Sequence, residues 1–203
     1  MGDGKDKTVR LPLRVLESHR EGEAPARRAT VHCPIHAGAI GLDHCRNCAR
    51  LEKEVPGRAL ECAIPEALSN PTQNAGELVG AKSVCLDGEL GVEEAAHVLD
   101  RAGLSAAPVV DDVGVVVGQV TAADLHRARL EAAEHRGFGH LSPTEVEDVM
   151  SAEPITVTES ATLQEVARLM VERHVSSVVV VNARGETVGT IEALDVLRSS
   201  LSL

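Results

Sequence analysis

Aromatic side chains are almost missing from this 203-residue chain: it has no Trp and no Tyr, and Phe138 is its one Phe. A platform for stacking single-stranded bases is thereby excluded. Long apolar runs are missing as well. The longest, residues 115–117 and 178–181, fall far short of a bilayer span, and the opening MGDGKDK has no apolar core of a secretory leader. Asp6 breaks the N-myristoylation pattern. These absences predict a cytoplasmic protein without membrane attachment. Basic charge is scarce where a polyanion would need it. The net charge is −11, and residues 77–203 carry nine Lys and Arg against twenty-one Asp and Glu, a surface that repels nucleic acid. Residues 1–30 are mildly basic, seven against five, and Arg27 and Arg28 read there as a solvated pair.

What is present is a globular composition, 43% apolar and 25% charged, with room for one ordinary domain and a small addition. The dominant pattern is a repeat. Gly118 and Asp124 return 71 residues later as Gly189 and Asp195, and the same offset aligns Ala81 with Ala152, Glu94 with Glu165, Ser105 with Ser176, Val109 with Val180, Gly114 with Gly185 and Arg127 with Arg198. Units this short bury too little apolar surface to stand alone, so the two copies should pack face to face with a cleft between them. Each copy reads as strand, helix, two strands, helix. The first has strands near 84–86, 107–111 and 115–120, with helices over 91–102 and from 122; the second has strands at 155–158, 177–181 and 187–191, with helices over 162–173 and 193–199. Between them the second helix should stop at residues 137–139. A capping box at 142–145 should then start a short helix.

Ahead of the repeats, residues 8–16 alternate apolar and basic residues and predict a short strand with Pro12 at an edge or bulge, and residues 20–30 read as a polar linker. Then Cys33, Cys45, Cys48 and Cys62 fall close together. In a cytoplasmic chain a metal explains such a cluster better than disulfides. Cys45-Arg-Asn-Cys48 has the spacing of a zinc knuckle, and Cys33 and Cys62 can complete a tetrahedral thiolate site. Substitution of one sulfur by His32, His36 or His44, an iron–sulfur cluster, and a redox pair at Cys45 and Cys48 are the alternatives. A metal here would be structural, because the segment has few large apolar residues. Residues 64–76 read as a linker.

Residues 147–197, with Gly-h-h-x-x-x-Asp at a helix start after a Gly turn, resemble a cystathionine-β-synthase (CBS) domain. Residues 82–125, with Pro108-Val-Val-Asp111 and Gly118-Gln-Val-Thr-Ala-Ala-Asp124, are similar to its partner, so the chain resembles a tandem pair, or Bateman module. The resemblance implies binding of an adenine nucleotide (AMP, ADP or ATP) or S-adenosylmethionine, and a homodimer of modules in a flat disc. It implies a base lodged among Val84, Ala107 and Pro108, with Ile155, Thr156 and Val178 as the second copy's counterparts.

The chemistry of the helix start agrees with a nucleotide. Unpaired amides there favour an anion, the Thr121 hydroxyl can donate to a phosphate oxygen, and ionised Asp124 accepts from two ribose hydroxyls. The second copy keeps Asp195 but has Glu192 in the place of Thr121. A carboxylate there repels phosphate, which predicts a site that is empty or takes an uncharged or cationic adenosyl compound.

The expected fold class is α+β: two β-α-β-β-α repeats and a small N-terminal zinc-binding subdomain. The expected divisions are 1–30 strand and linker, 31–64 cysteine-rich subdomain, 65–76 linker, 77–128 first repeat, 129–145 inter-repeat helix and linker, and 146–203 second repeat. No catalytic constellation is visible, so the expected role is regulatory and non-enzymatic. Two alternatives stand beside it: a zinc-dependent protein- or nucleic-acid-interaction protein that the repeats only dimerise, and a thiol redox or metal sensor.

Overall fold

The computed structural model describes residues 6–36, 38–65, 74–80, 82–134 and 145–200. The alternating stretch at 8–16 does not form one strand. It divides at Leu13 into β1 (Asp6–Pro12) and β2 (Arg14–His19), which belong to different sheets. Pro12 ends β1 on the edge of its sheet, where the missing N–H matters least. The polar linker expected at 20–30 is a turn followed by β3 (Ala26–Cys33). Its first three residues are exposed, so the apolar signal of a strand begins only at Val31. Then follow β4 (Gly38–Gly41), α1 (Leu42–Arg46), β5 (Leu51–Val55) and β6 (Ala59–Pro65). β1, β6 and β5 make a small antiparallel sheet whose core joins Leu11, Leu13, Val31, Cys45, Leu60 and Ile64.

One turn of helix, α2 (Ala75–Leu78), lies in the expected linker and is capped by Asn74, whose side chain accepts from the Glu77 N–H at 3.0 Å. The first repeat is β7 (Lys82–Asp87), α3 (Val92–Ala102), β8 (Ala106–Val110), β9 (Val116–Thr121) and α4 (Ala122–Glu134). A 3₁₀ turn (Val146–Asp148) leads to the second: β10 (Thr156–Thr158), α5 (Leu163–Arg173), β11 (Ser177–Val181), β12 (Thr187–Glu192) and α6 (Ala193–Ser200). Both follow the strand–helix–strand–strand–helix order. α5 opens with a reciprocal box between Thr162 and Glu165. The helix stop at 137–139 and the first three residues of the box at 142–145 lie outside the described residues. Among the described residues no helix is long and apolar enough to cross a membrane.

The N-terminal unit is not a separate subdomain. β2 pairs in parallel with β7, giving a six-stranded sheet in the order β4-β3-β2-β7-β8-β9, and a boundary at 30/31 would cut through β3. The second repeat keeps three strands, β10-β11-β12.

An internal two-fold relates the repeats. The Val116 N–H donates to the Gly185 carbonyl and the Thr187 N–H to the Gly114 carbonyl, both at 3.2 Å, about a bridge between Val115 and Glu186. Each repeat also borrows the segment that precedes the other. Ala75 and Val79 are buried in the second repeat's core, and Val146 in the first's. Gly118 and Gly189 allow this, because a Cβ on Gly118 would strike the Met150 sulfur and one on Gly189 the Val79 side chain.

Candidate functional site

Thr121 ends β9 and Asp124 stands in the first turn of α4, so the strand delivers the hydroxyl beside the carboxylate. Asp124 Oδ2 accepts from the Thr121 hydroxyl at 2.6 Å and from the Thr121 N–H at 3.1 Å, while Thr121 Oγ1 accepts from the Asp124 N–H at 3.1 Å. The pair is a reciprocal helix cap. Asp124 Oδ1 is held by the Arg127 guanidinium at 2.7 Å, and about a quarter of the Asp124 side chain is exposed. The hydroxyl that sequence reasoning gave to a phosphate therefore has its proton on Asp124. An incoming ligand has to exchange that bond, and Arg127, mostly exposed, is the nearby cation that sequence reasoning passed over.

The second repeat builds the same turn differently. The Glu192 N–H donates to Asp195 Oδ2 at 3.0 Å, and Arg198 stands 3.9 Å from Asp195. The Glu192 side chain turns away from its own repeat. Its Oε1 accepts from both the N–H and the hydroxyl of Ser105, each at 2.8 Å, so it links the start of α6 to the start of β8 in the other repeat. Ser105 was legible only as a repeated position.

The residues expected around a base are divided between the two faces of their sheets. Val84 and Ala107 belong to the first repeat's helix-facing core with Val98, Leu99 and Leu125, and Ile155 and Val178 belong with the second repeat's. Side chains alternate along a strand, so the opposite face carries Ser83 and Cys85 instead. Pro108 is buried on that face, and Thr156 is exposed on β10. The outer edge of β7 is paired with β2 from Lys82 to Leu86. β10 is an outer strand of its sheet.

The four cysteines expected to hold a metal come from β3, α1, the turn after it and β6, yet all of them line one cavity of about 20 Å³, together with His36 and His44. The two imidazoles meet edge to face at 5.3 Å. Burial and then the neighbouring Cys33, Cys62 and Cys48 push the Cys45 thiol up to about 11, and burial raises Cys62 likewise. Among the described residues no three His, Cys, Asp or Glu side chains are already gathered as a ligand set. The fifth cysteine, Cys85, is buried in the first repeat, and burial pushes it up to about 12.

Between the N-terminal unit and the second repeat lies a charged seam. Arg14 is 5% exposed, and burial lowers its guanidinium to about 10 against the opposing pull of Glu159 and Glu77. Glu159 accepts from the Ala39 N–H at 2.6 Å and lies 3.7 Å from His32 Nδ1.

The family whose pattern is described as the CBS domain matches residues 75–131 and 146–202. Among curated proteins, the inosine-5'-monophosphate dehydrogenase of Korarchaeum cryptofilum is 28% identical over 160 residues, which is 78% of this chain and 28% of that protein. That of Halobacterium salinarum is 33% identical over 109 residues, 54% of this chain and 20% of that one. This chain thus matches only 20% to 28% of their length. Among solved structures, CBSX2 in complex with AMP is 25% identical with a TM-score of 0.55, covering 64% of this chain and 97% of that one. The cytosolic domain of the Mg²⁺ channel MgtE in complex with ATP is 26% identical with a TM-score of 0.52, covering 64% and 49%.

Proposed function

The chain belongs to the CBS-domain family, and on that premise we propose that it is a regulatory, non-enzymatic protein whose repeat pair binds an adenine nucleotide at the Thr121–Asp124 end of its cleft. The observation that carries this reading is the site itself: a carboxylate fixed at a helix start, a quarter exposed, sharing one oxygen with an exposed arginine. Asp124 supplies acceptors for ribose hydroxyls, and Arg127 with the α4 amides supplies positive charge for phosphate. Relatives of the same fold support it, CBSX2 having been solved with AMP and MgtE with ATP. Binding would shift the packing of the repeats, and the N-terminal unit, being part of the first repeat's sheet, would move with it.

In the same reading the N-terminal unit holds zinc through Cys33, Cys45, Cys48 and Cys62. The support is that thiols from four separate segments face a cavity of about 20 Å³, and closing on an ion takes side-chain rotation and loss of the thiol protons. Two modules pair into a cytoplasmic homodimer.

The test is a thermal-shift and calorimetric screen of AMP, ADP, ATP and S-adenosylmethionine, with metal analysis of the purified chain. Stabilisation by a nucleotide, lost in Asp124→Ala and weakened in Arg127→Ala, supports the reading. No shift with any of the four would sink it, and zinc well below one per chain would sink its N-terminal half.

A further inference from the structure

β4 is the outer strand of its sheet, and two of the cysteines bracket it. Cys33 is the ladder partner of its first residue, Gly38, and Cys45 lies in α1, which follows its last residue directly. The next rung of that ladder, His32 opposite Ala39, reaches the second repeat from both of its residues. The Ala39 N–H donates to Glu159 Oε1 at 2.6 Å, and the Ala39 side chain packs against the second repeat's core. The buried His32 ring lies so near Gly76 that a Cβ there would stand 2.5 Å from its Nδ1. Glu159 and α2 are themselves joined. The Gly76 N–H donates to the Glu159 carbonyl at 2.8 Å, and the Ala75 N–H to the Ala161 carbonyl at 2.6 Å. One rung of the cysteine unit thus touches both the turn between β10 and α5 and the helix α2, whose Ala75 is buried in the second repeat's core.

We propose that this rung couples the second repeat to the metal state of the cysteine site, with the Glu159 carboxylate as the link. This rests on the zinc reading above and adds what the ion does beyond holding its own unit together. A four-residue edge strand has ladder bonds on one side only, so its order costs little to lose. A metal bound by Cys33 and Cys45 cross-links the chain across β4 and fixes both of its ends. With β4 fixed, the Ala39 N–H stays on Glu159 in a charge-assisted bond and His32 stays on Gly76. Removal of the metal loosens β4, and the loss reaches the β10–α5 turn and α2 through the same contacts. The coupling runs both ways: the order that zinc adds to that turn is matched by what the Glu159 contact adds to zinc affinity.

Amide exchange of the full chain, followed by NMR with zinc and with a chelator, is the test. Zinc should slow exchange at Gly76 and Ala161 about 5-fold or more, the lower end of ordinary coupling between sites. In Glu159→Ala that effect should vanish, while the Cys48 N–H, bonded to the Cys45 carbonyl within the unit, still gains protection. Glu159→Asp draws the acceptor back by one carbon and keeps the charge that acts on Arg14. It should lose the effect as well, and it serves should the alanine variant not fold. Zinc affinity, read by competition with a chelating dye, should drop by the same factor in either variant. Exchange at Gly76 and Ala161 that ignores zinc in a zinc-binding wild type, or a zinc effect undiminished in a folded variant, overturns the inference and leaves the zinc reading intact. So does an unchanged zinc affinity in the variants. A chain that takes up no zinc fails both.

Discussion

Leu16 of β2 lies opposite Ser83 of β7 in a parallel ladder, which makes the N-terminal strand a structural part of the first repeat. Parallel strands bury both faces and present no free edge along their shared border. A proline in β2 removes a ladder donor and orphans an acceptor on its partner. Leu16→Pro should therefore destabilise the whole chain by about 1–3 kcal/mol. Urea unfolding would measure it, and hydrogen exchange should show the β7 amides losing protection first. Unchanged β7 protection would mean that the N-terminal unit only leans on the repeat.

Gly118 marks the crossover between the repeats. A Cβ there would strike the Met150 sulfur and stand 3.0 Å from the Ser151 carbonyl, which is backbone and cannot swing aside. Gly118→Ala should cost about 1–3 kcal/mol by overpacking. The strain should fall on the bonds between Gln119 and Ser151, both 2.9 Å, that tie the segment before the second repeat onto the first. Thermal melts of the variant, compared with Gly41→Ala, where a Cβ meets nothing within 4 Å, separate this crowding from a general loss of glycine.

In the metal-free protein, burial and the neighbouring thiols raise Cys45 from 9.0 to about 11. The folded state holds that proton more tightly than the unfolded one, so the stability it confers is complete below pH 9 and is lost as pH rises from 9 to about 11. Cys45→Ser removes this slope. Melting temperatures with chelator present should fall more steeply across that window in wild type than in Cys45→Ser. Parallel slopes would contradict the burial that raises the thiol.

The repeat, its element order and its offset were legible because the strands are short, β-branched and punctuated by Gly114 and Gly185, and because one register governs both copies. Faces were less legible. Val84 was expected beside a base and lies in the helix-side core, with Ser83 and Cys85 on the other face. β3 escaped notice because Arg27 and Arg28 give its exposed half the look of a linker, although Arg27 is tied across the ladder to Glu17 at 2.8 Å. Glu192 was half legible. Its charge was readable as hostile to phosphate, but its bond to Ser105 depends on a distance between repeats that no local pattern encodes. The Arg14–Glu159 seam had no signal at all, since its members are 145 positions apart and each reads alone as a surface charge.

That seam gives the sharpest stability test. Arg14 is 5% exposed and draws on Glu159 and Glu77 for compensation, so removing one partner leaves a buried cation short of its counter-charge. The carboxylates act on Arg14 through their field and not through a direct contact, so the loss belongs to the ordinary range for single substitutions, about 0.5–3 kcal/mol, whereas neutralising both charges with groups of similar volume is close to neutral. Glu159→Ala should fall toward the lower part of that range or below it, because Glu77 remains near, and it also frees the Ala39 N–H that Glu159 accepts at 2.6 Å. Arg14→Met with Glu159→Gln keeps volume, removes both charges and leaves an acceptor for Ala39. The double variant should recover most of the loss, and a double-mutant cycle by urea denaturation reads the coupling directly. A double variant no more stable than Glu159→Ala alone would show that packing, and not the buried charge, holds the N-terminal unit against the second repeat.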